Sequence, residues 1–239
     1  MIRISHLTKR FGDFAAVNDL SLDVKGGEFV GFLGPNGAGK TTTIKMMTGL
    51  FTPTSGSISL GGNDILTEPV AAKMITGYIP DQPFLYEKLT GREFLYFSAG
   101  LYRIDHSAAT QRIDDLVRMF EIDSWLDRRT EYYSQGMRQR IVIAAALLHH
   151  PKILIVDEPM VGLDPRSAHI VKEVFKEHAS GGSTVFMSTH VLSIAEELCT
   201  RIAIIKSGTL VFDDGMEVFQ QFKSRFDGNF ESAFLELTK

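Results

Sequence analysis

Gly34-Pro35-Asn36-Gly37-Ala38-Gly39-Lys40-Thr41-Thr42 is the stretch on which the fold of this chain turns. It fits the pattern G-x-x-x-x-G-K-[ST], with Gly34, Gly39, Lys40 and Thr41 at the fixed places. The spacing has a chemical reason. Glycines let the backbone curl until several N–H groups point into one concavity, where a bulky side chain would block a phosphate. Lys40 adds a point charge near the β- and γ-phosphates, and the Thr41 hydroxyl suits a magnesium ion. The flanks agree: Glu28 to Leu33 reads as a buried strand and Thr42 to Gly49 as a helix. Strand, glycine loop and helix in that order predict an α/β fold around a P-loop (RecA-like) core with a mostly parallel sheet.

Composition bounds the rest. The 239 residues are 44% apolar and 23% charged, the balance of a globular protein with a sizeable core. A net charge of −4 gives no reason to expect a nucleic-acid-binding surface. Cys199 is the single cysteine, so no internal disulfide forms and a reducing compartment is expected. The start, Met1-Ile-Arg-Ile-Ser-His6, has no apolar signal region. The longest apolar run, Ile141 to Leu148, is far short of the roughly 20 residues that span a bilayer.

Taken in order, Ile2 to Leu7 and Val17 to Val24 alternate apolar and polar residues, which predicts an N-terminal antiparallel β subdomain. Phe11 to Val17 between them reads as a turn with two aromatics. Ser57 to Leu60 is a short strand ending at Gly61-Gly62, and Tyr78-Ile79-Pro80 closes another. From Pro83 to Ser134 helical periodicity replaces strand alternation. Thr90-Gly-Arg-Glu93 is a capping box, opening a helix with Phe94, Phe97 and Leu101 on one face. A second helix carries Ile113, Leu116, Val117 and Phe120. A strandless segment inside an α/β pattern predicts an inserted helical subdomain. Residues 83–150 are assigned to it, and 1–82 with 151–239 to the nucleotide-binding core and β subdomain, one domain in all.

Ser134 sits at an N-cap position before the helix Gln135 to Leu148. Ile153 to Val156 is an apolar β-branched run, as expected of an interior parallel strand. Asp164-Pro165 caps and opens a helix that Gly181-Gly182 ends. Thr184 to Met187 is a strand, Val191 to Cys199 a helix, and Ile202 to Phe212 a hairpin about Lys206-Ser-Gly208. The tail from Met216 reads as amphipathic helix.

Asp157-Glu158 follows the apolar strand directly, which puts two carboxylates at the edge where open α/β sheets bind ligands. Asp157 can hold magnesium opposite Thr41, and Glu158 can orient and deprotonate an attacking water. His190 ends the next strand at the same edge; alone, such a histidine caps or packs. Ser134-Gln135-Gly136 offers free N–H groups at a helix start, an anion site or an ordinary cap.

The order of these motifs resembles the nucleotide-binding subunit of ATP-binding cassette (ABC) transporters, over essentially the whole chain, and their wording is most similar to bacterial ABC-2 type systems. The resemblance implies an ATPase using ATP and Mg2+, with Gly34, Pro35, Asn36, Gly37, Ala38, Gly39, Lys40, Thr41 and Thr42 around the phosphates. It implies an adenine-stacking role for Phe11, metal binding by Asp157, a general base at Glu158, and a switch histidine at His190. Ser134 and Gly136 match the signature loop, which in this family meets the nucleotide of a second, head-to-tail subunit. The loop departs from the usual Leu-Ser-Gly-Gly-Gln, reading Tyr133-Ser-Gln-Gly-Met137, but keeps the serine and second glycine. The family's magnesium-facing glutamine falls by register on Asp81, with Gln82 one residue later. The implied partners are an integral membrane permease and a second copy of this chain or a homologue, not nucleic acid; the implied location is cytoplasmic, peripheral on the inner face of the cell membrane. A soluble ABC ATPase acting outside transport is the alternative, although such proteins usually carry a coiled-coil insert or tandem cassettes. A GTPase would need an Asn/Thr-Lys-x-Asp stretch, and a small-molecule kinase would lack the Ser134 loop.

Overall fold

A computed structural model describes residues 1–160, 162–226 and 228–239. Two sheets organise it. Strands β1 (Ile2–Phe11), β2 (Phe14–Val24), β4 (Ser55–Leu60) and β5 (Asn63–Asp64) form an antiparallel sheet in the order β2-β1-β4-β5. Strands β3 (Phe29–Leu33), β6 (Thr76–Ile79), β7 (Ile153–Asp157), β8 (Thr184–Ser188), β9 (Arg201–Lys206) and β10 (Thr209–Gly215) form the second sheet, ordered β10-β9-β3-β8-β7-β6. All its pairings are parallel except the edge hairpin β9–β10.

The sequence explains why this second sheet is central. Strands β3, β7 and β8 are buried at every position, as a parallel strand covered on both faces requires. Their alternate side chains then serve two cores. Val30, Phe32, Ile153, Ile155 and Phe186 pack toward the antiparallel sheet, while Leu33, Leu154, Val156, Val185 and Met187 pack toward the helices. The carboxyl ends of the parallel strands are thereby held side by side.

Three local expectations need correction. The first hairpin is tighter than its pattern suggested: β1 runs on to Phe11 and β2 starts at Phe14, leaving Gly12-Asp13 as the turn, with Gly12 at φ +59°. Phe11 and Phe14 obscured this because their rings face a cleft, not the core. The helix after the glycine loop, α1 (Lys40–Met47), begins two residues earlier than expected, because Gly39 at φ +111° hands the backbone straight into it. Helix α2 (Pro69–Met74) and the two-residue β5 were not anticipated; proline in the first turn was the available signal for α2.

Helix α3 (Gly91–Leu101) has the reciprocal Thr90/Glu93 capping box, yet it buries a different face from the one expected. Gly91, Leu95, Ser98 and Ala99 are buried, whereas Phe97 is 44% and Leu101 65% exposed. Small residues let α3 pack closely on its neighbours; Phe94 stays half-buried against the core, while Phe97 and Leu101 turn outward. Helix α4 (His106–Phe120) buries Ile113, Leu116, Val117 and Phe120 as its spacing predicted. Helices α5 (Gln135–Leu147), α6 (Pro165–Ser180), α7 (Leu192–Leu198), α8 (Met216–Lys223) and α9 (Phe230–Thr238) complete the chain. Among the described residues no helix is long and apolar enough to cross a membrane.

One packing contact yields a pH prediction. At the end of α5, His149 stacks on Tyr102 with ring centroids 3.6 Å apart, and its Nε2–H donates to the Thr76 carbonyl at 3.2 Å. Burial, partly opposed by that hydrogen bond and reinforced by the charges of His150 and His178, lowers the imidazole from 6.5 to about 4. The unfolded chain therefore binds this proton more readily. Stability from this site is full above about pH 6.5 and is lost as pH falls toward 4. His149→Phe keeps the stack without the titration, so its melting temperature should fall less between pH 7 and pH 5 than that of the parent. Equal slopes in the two melting series would exclude His149 as the cause.

Candidate functional site

The glycine loop lies between β3 and α1. An added Cβ at Gly34 would stand 2.3 Å from the Ile205 carbonyl oxygen, and one at Gly39 2.4 Å from that of Ala16. Only glycine lets the loop lie this close to β9 and β2. Lys40 is buried; its ammonium donates to the carbonyls of Gly34 at 2.7 Å and Pro35 at 3.2 Å. Burial lowers its pKa, and the charges of Glu158 and Asp157 act the other way. Lys40 is thus within electrostatic reach of both carboxylates.

Asp157 ends β7 and Ser188 ends β8, and the parallel register sets them side by side. The Ser188 hydroxyl donates to Asp157 Oδ1, while Oδ2 is buried with no protein partner. Burial raises the pKa of this carboxyl, further lifted by Asp81 and Glu158 and opposed by the hydroxyls of Ser188 and Thr41. A buried carboxylate with a free oxygen, beside a threonine hydroxyl, fits a hard cation that takes oxygen ligands. Among the described residues no group of three or more histidine, cysteine, aspartate or glutamate side chains gathers, so protein ligands alone would not complete such a site.

Glu158 sits at φ +49°, a left-handed conformation rarely taken by non-glycine residues and often met at functional sites. Its N–H bonds the Ser188 carbonyl at 3.2 Å, which fixes the turn. Its Oε1 lies 2.9 Å from Nδ1 of His190, and Oε2 accepts from the His190 N–H at 3.4 Å. Lys40, Thr41, Thr42, Asn36, Gly37, Gly39, Glu158 and His190 line one cleft of about 440 Å³ together with Phe11, Phe14 and Ala16 of the first hairpin.

A match to the ABC transporter family model spans residues 17–161. The chain belongs to the ABC transporter family. It is 34% identical over 235 residues to the ABC transporter ATP-binding protein NatA of Bacillus subtilis, covering 96% of each chain. A solved ATP-binding subunit of an ABC transporter superposes with a TM-score of 0.92 at 31% identity, over 100% of both chains. A dimeric ATP-binding cassette in a post-hydrolysis state with ADP and Pi superposes with a TM-score of 0.82 at 25% identity, over 90% of this chain and 99% of that one. The fold is that of ABC ATPase domains, and the protein is an ATPase that binds ATP.

Within this ABC subunit the expected site residues fall into three groups. Asn36, Gly37, Gly39, Lys40, Thr41 and Thr42 of the glycine loop line the cleft with Phe11, Glu158 and His190, whereas Gly34, Pro35, Ala38 and Asp157 are outside its lining. Asp81 and Gln82 are exposed and outside the cleft lining; Asp81 Oδ1 accepts from the Gln82 N–H at 2.9 Å, and the Asp81 charge is felt at Asp157. Ser134 and Gly136 do not line the cleft at all. Ser134 caps α5, accepting from the Met137 N–H at 3.3 Å, and is exposed. Its loop is held instead by the segment after Glu158: Gln139 Nε2 donates to the Pro159 carbonyl at 3.2 Å, and Gln135 packs on Gly162. Ser188, Phe14 and Ala16 were missed. A polar residue closing the buried run of β8 was a signal for Ser188; Phe14 left none, since a residue in a presumed turn has no assigned face.

Proposed function

We propose that this chain powers transport through a separate membrane permease, working as a head-to-tail pair that ATP closes and hydrolysis opens. One observation carries the reading: the carboxylate edge and the glycine loop share a cleft, while the exposed Ser134 cap and the half-buried Gly136 lie outside its lining. An exposed serine-capped helix start suits the γ-phosphate held by a second copy. Gly34 to Thr42 cradle the phosphates, Phe11 stacks the base, and Lys40 neutralises the β- and γ-oxygens. Glu158 takes the proton of the attacking water, and His190, bonded to Glu158, orients both. Thr41 and Asp157, with Asp81 or Gln82, would hold Mg2+, which would supply charge neutralisation for the phosphates.

The permease contact falls on the helical segment, residues 83–150. Phe84, 72% exposed, packs edge-on against Tyr86 at 5.6 Å, and Tyr86 against Phe97 at 5.3 Å, with Leu101 exposed on the same helix as Phe97. Exposed aromatic patches of this kind mark protein contacts. With no spanning helix of its own among the described residues, the chain reaches the inner face of the membrane through this contact. In washed membranes from the native cell, wild-type chain is expected in the pellet and the Phe84→Ser/Phe97→Ser variant in the supernatant, with ATP affinity of the purified variant unchanged. Equal partition of the two proteins would reject the patch, and a wild-type chain found only in the supernatant would reject the permease.

A further inference from the structure

Glu158 stands where its own backbone resists it. At φ +49° it is left-handed without being glycine, and it precedes Pro159, a neighbour that pushes a residue toward extended backbone. Such a conformation persists only where the surroundings over-determine it. The Ser188 carbonyl, bound by the Glu158 N–H, holds one side. We propose that Gln139 and Gln135 of α5 hold the other side as positioning residues for the base, and that through them a γ-phosphate reaching Ser134 from a second copy is felt at Glu158. This rests on the head-to-tail reading above.

Gln139 is 1% exposed, so its amide must find its partners within the protein. A carbonyl can only accept, so the 3.2 Å contact with Pro159 sets the orientation of the amide, NH2 group toward the Pro159 oxygen. Proline locks its own φ, which leaves little freedom between that carbonyl and the peptide joining Pro159 to Glu158.

Gln135 lies four residues earlier on α5, on the same side of the helix. Its side chain packs on Gly162, where an added Cβ would stand 2.5 Å from Gln135 Cδ and 2.7 Å from Nε2. The usual signature loop has glycine at this place and could make no such contact. The two glutamines thus clasp the segment after the base at Pro159 and at Gly162. Ser134 caps the same helix, its hydroxyl accepting from the Met137 N–H. A helix moves its first turns as one body, so a pull on the cap shifts both glutamines and, with them, the backbone behind Glu158.

Steady-state ATP hydrolysis by the full chain tests this. Gln139→Met keeps the volume and removes the donor. Its kcat should fall about fivefold to tenfold, the scale of one lost hydrogen bond, with KM for ATP unchanged because the glycine loop does not touch α5. Gln135→Ala should lower kcat about threefold, and Gln135→Met, which keeps a stem on Gly162, should restore it. Ser134→Ala completes a double-mutant cycle. If the glutamines carry the signal, Gln139→Met adds little to the loss that Ser134→Ala already causes, whereas independent losses multiply. Gln135 is exposed, so Gln135→Ala takes the place of Gln139→Met in the cycle if the latter does not melt cooperatively. Parent kcat in Gln139→Met and Gln135→Ala, a change confined to KM, or losses that multiply in the double variant overturn the proposal and spare the head-to-tail reading. Parent kcat in Ser134→Ala rejects both.

Discussion

Glu158→Gln lowers ATP turnover by about 10²–10⁴, the usual range for a general base, and leaves ATP binding intact. The amide matches the carboxylate in shape, so it can occupy the same place at φ +49° with the same backbone anchor on Ser188. It still meets His190, whose Nδ1 lies 2.9 Å from Glu158 Oε1 in the parent. What disappears is the ability to accept a proton from water. A subunit that binds ATP without cleaving it should remain closed on its partner copy, and size-exclusion chromatography with magnesium ATP should show a dimer absent from the ATP-free sample. The exposed Ser134 cap supplies the matching control. Replacing it in the same background, as Ser134→Arg, puts a bulky side chain where the γ-phosphate of the other copy would approach, so the trapped dimer should not form. Parent-level hydrolysis by Glu158→Gln would falsify the assignment of the base. A dimer that survives Ser134→Arg would move the second phosphate contact elsewhere.

Most of the site-bearing features that depend on neighbouring residues along the chain were readable from the sequence, although the Gly12-Asp13 turn and α2 were not read from it. The glycine loop is a covalent spacing, the buried runs of β3, β7 and β8 are uninterrupted, and the caps at Thr90, Ser134 and Asp164 are signals within a few residues. Features set by distant segments were not. Periodicity showed that Phe94, Phe97 and Leu101 share a side of α3, but the choice of buried side belongs to α4 and α5, which fit the small residues instead. The Ser188 bond to Asp157 depends on the register of β7 against β8, set by long-range pairing that no local pattern reports. Phe14 was hidden for a related reason. An apolar residue facing a cleft looks, in one dimension, like a residue in the wrong place.

The carboxyl edge of the parallel sheet also shows how the parts depend on one another. Asp157 keeps a raised pKa through burial, with one oxygen bound to Ser188 and the other without a protein partner. Lys40 is depressed by its own burial, and the two carboxylates offset part of that. Each group is costly alone in this setting, and each lowers the cost of the other. The arrangement is poised for a polyanion with its cation, which would satisfy the ammonium and the free carboxylate oxygen together.

That mutual dependence makes Lys40→Ala the second large effect. It removes the cation nearest the loop and leaves the Gly34 and Pro35 carbonyls without their donor, so both the charge and the loop's internal bonds are lost. Truncating one partner of a buried charged contact costs about 2–5 kcal/mol, which corresponds to an ATP affinity lower by roughly 30-fold to several thousandfold. Lys40→Arg should not rescue it, because a planar fork cannot take the place of a compact ammonium in a buried slot between two carbonyls. Loss of Lys40 should weaken ATP and inorganic tripolyphosphate alike, since both present the same phosphates. A cooperative melt of the Lys40→Ala protein would show that the fold persists. If that folded variant binds tripolyphosphate as the parent does, the glycine loop is not the phosphate cradle, and the roles argued for Asp157 and Glu158 around it fall as well.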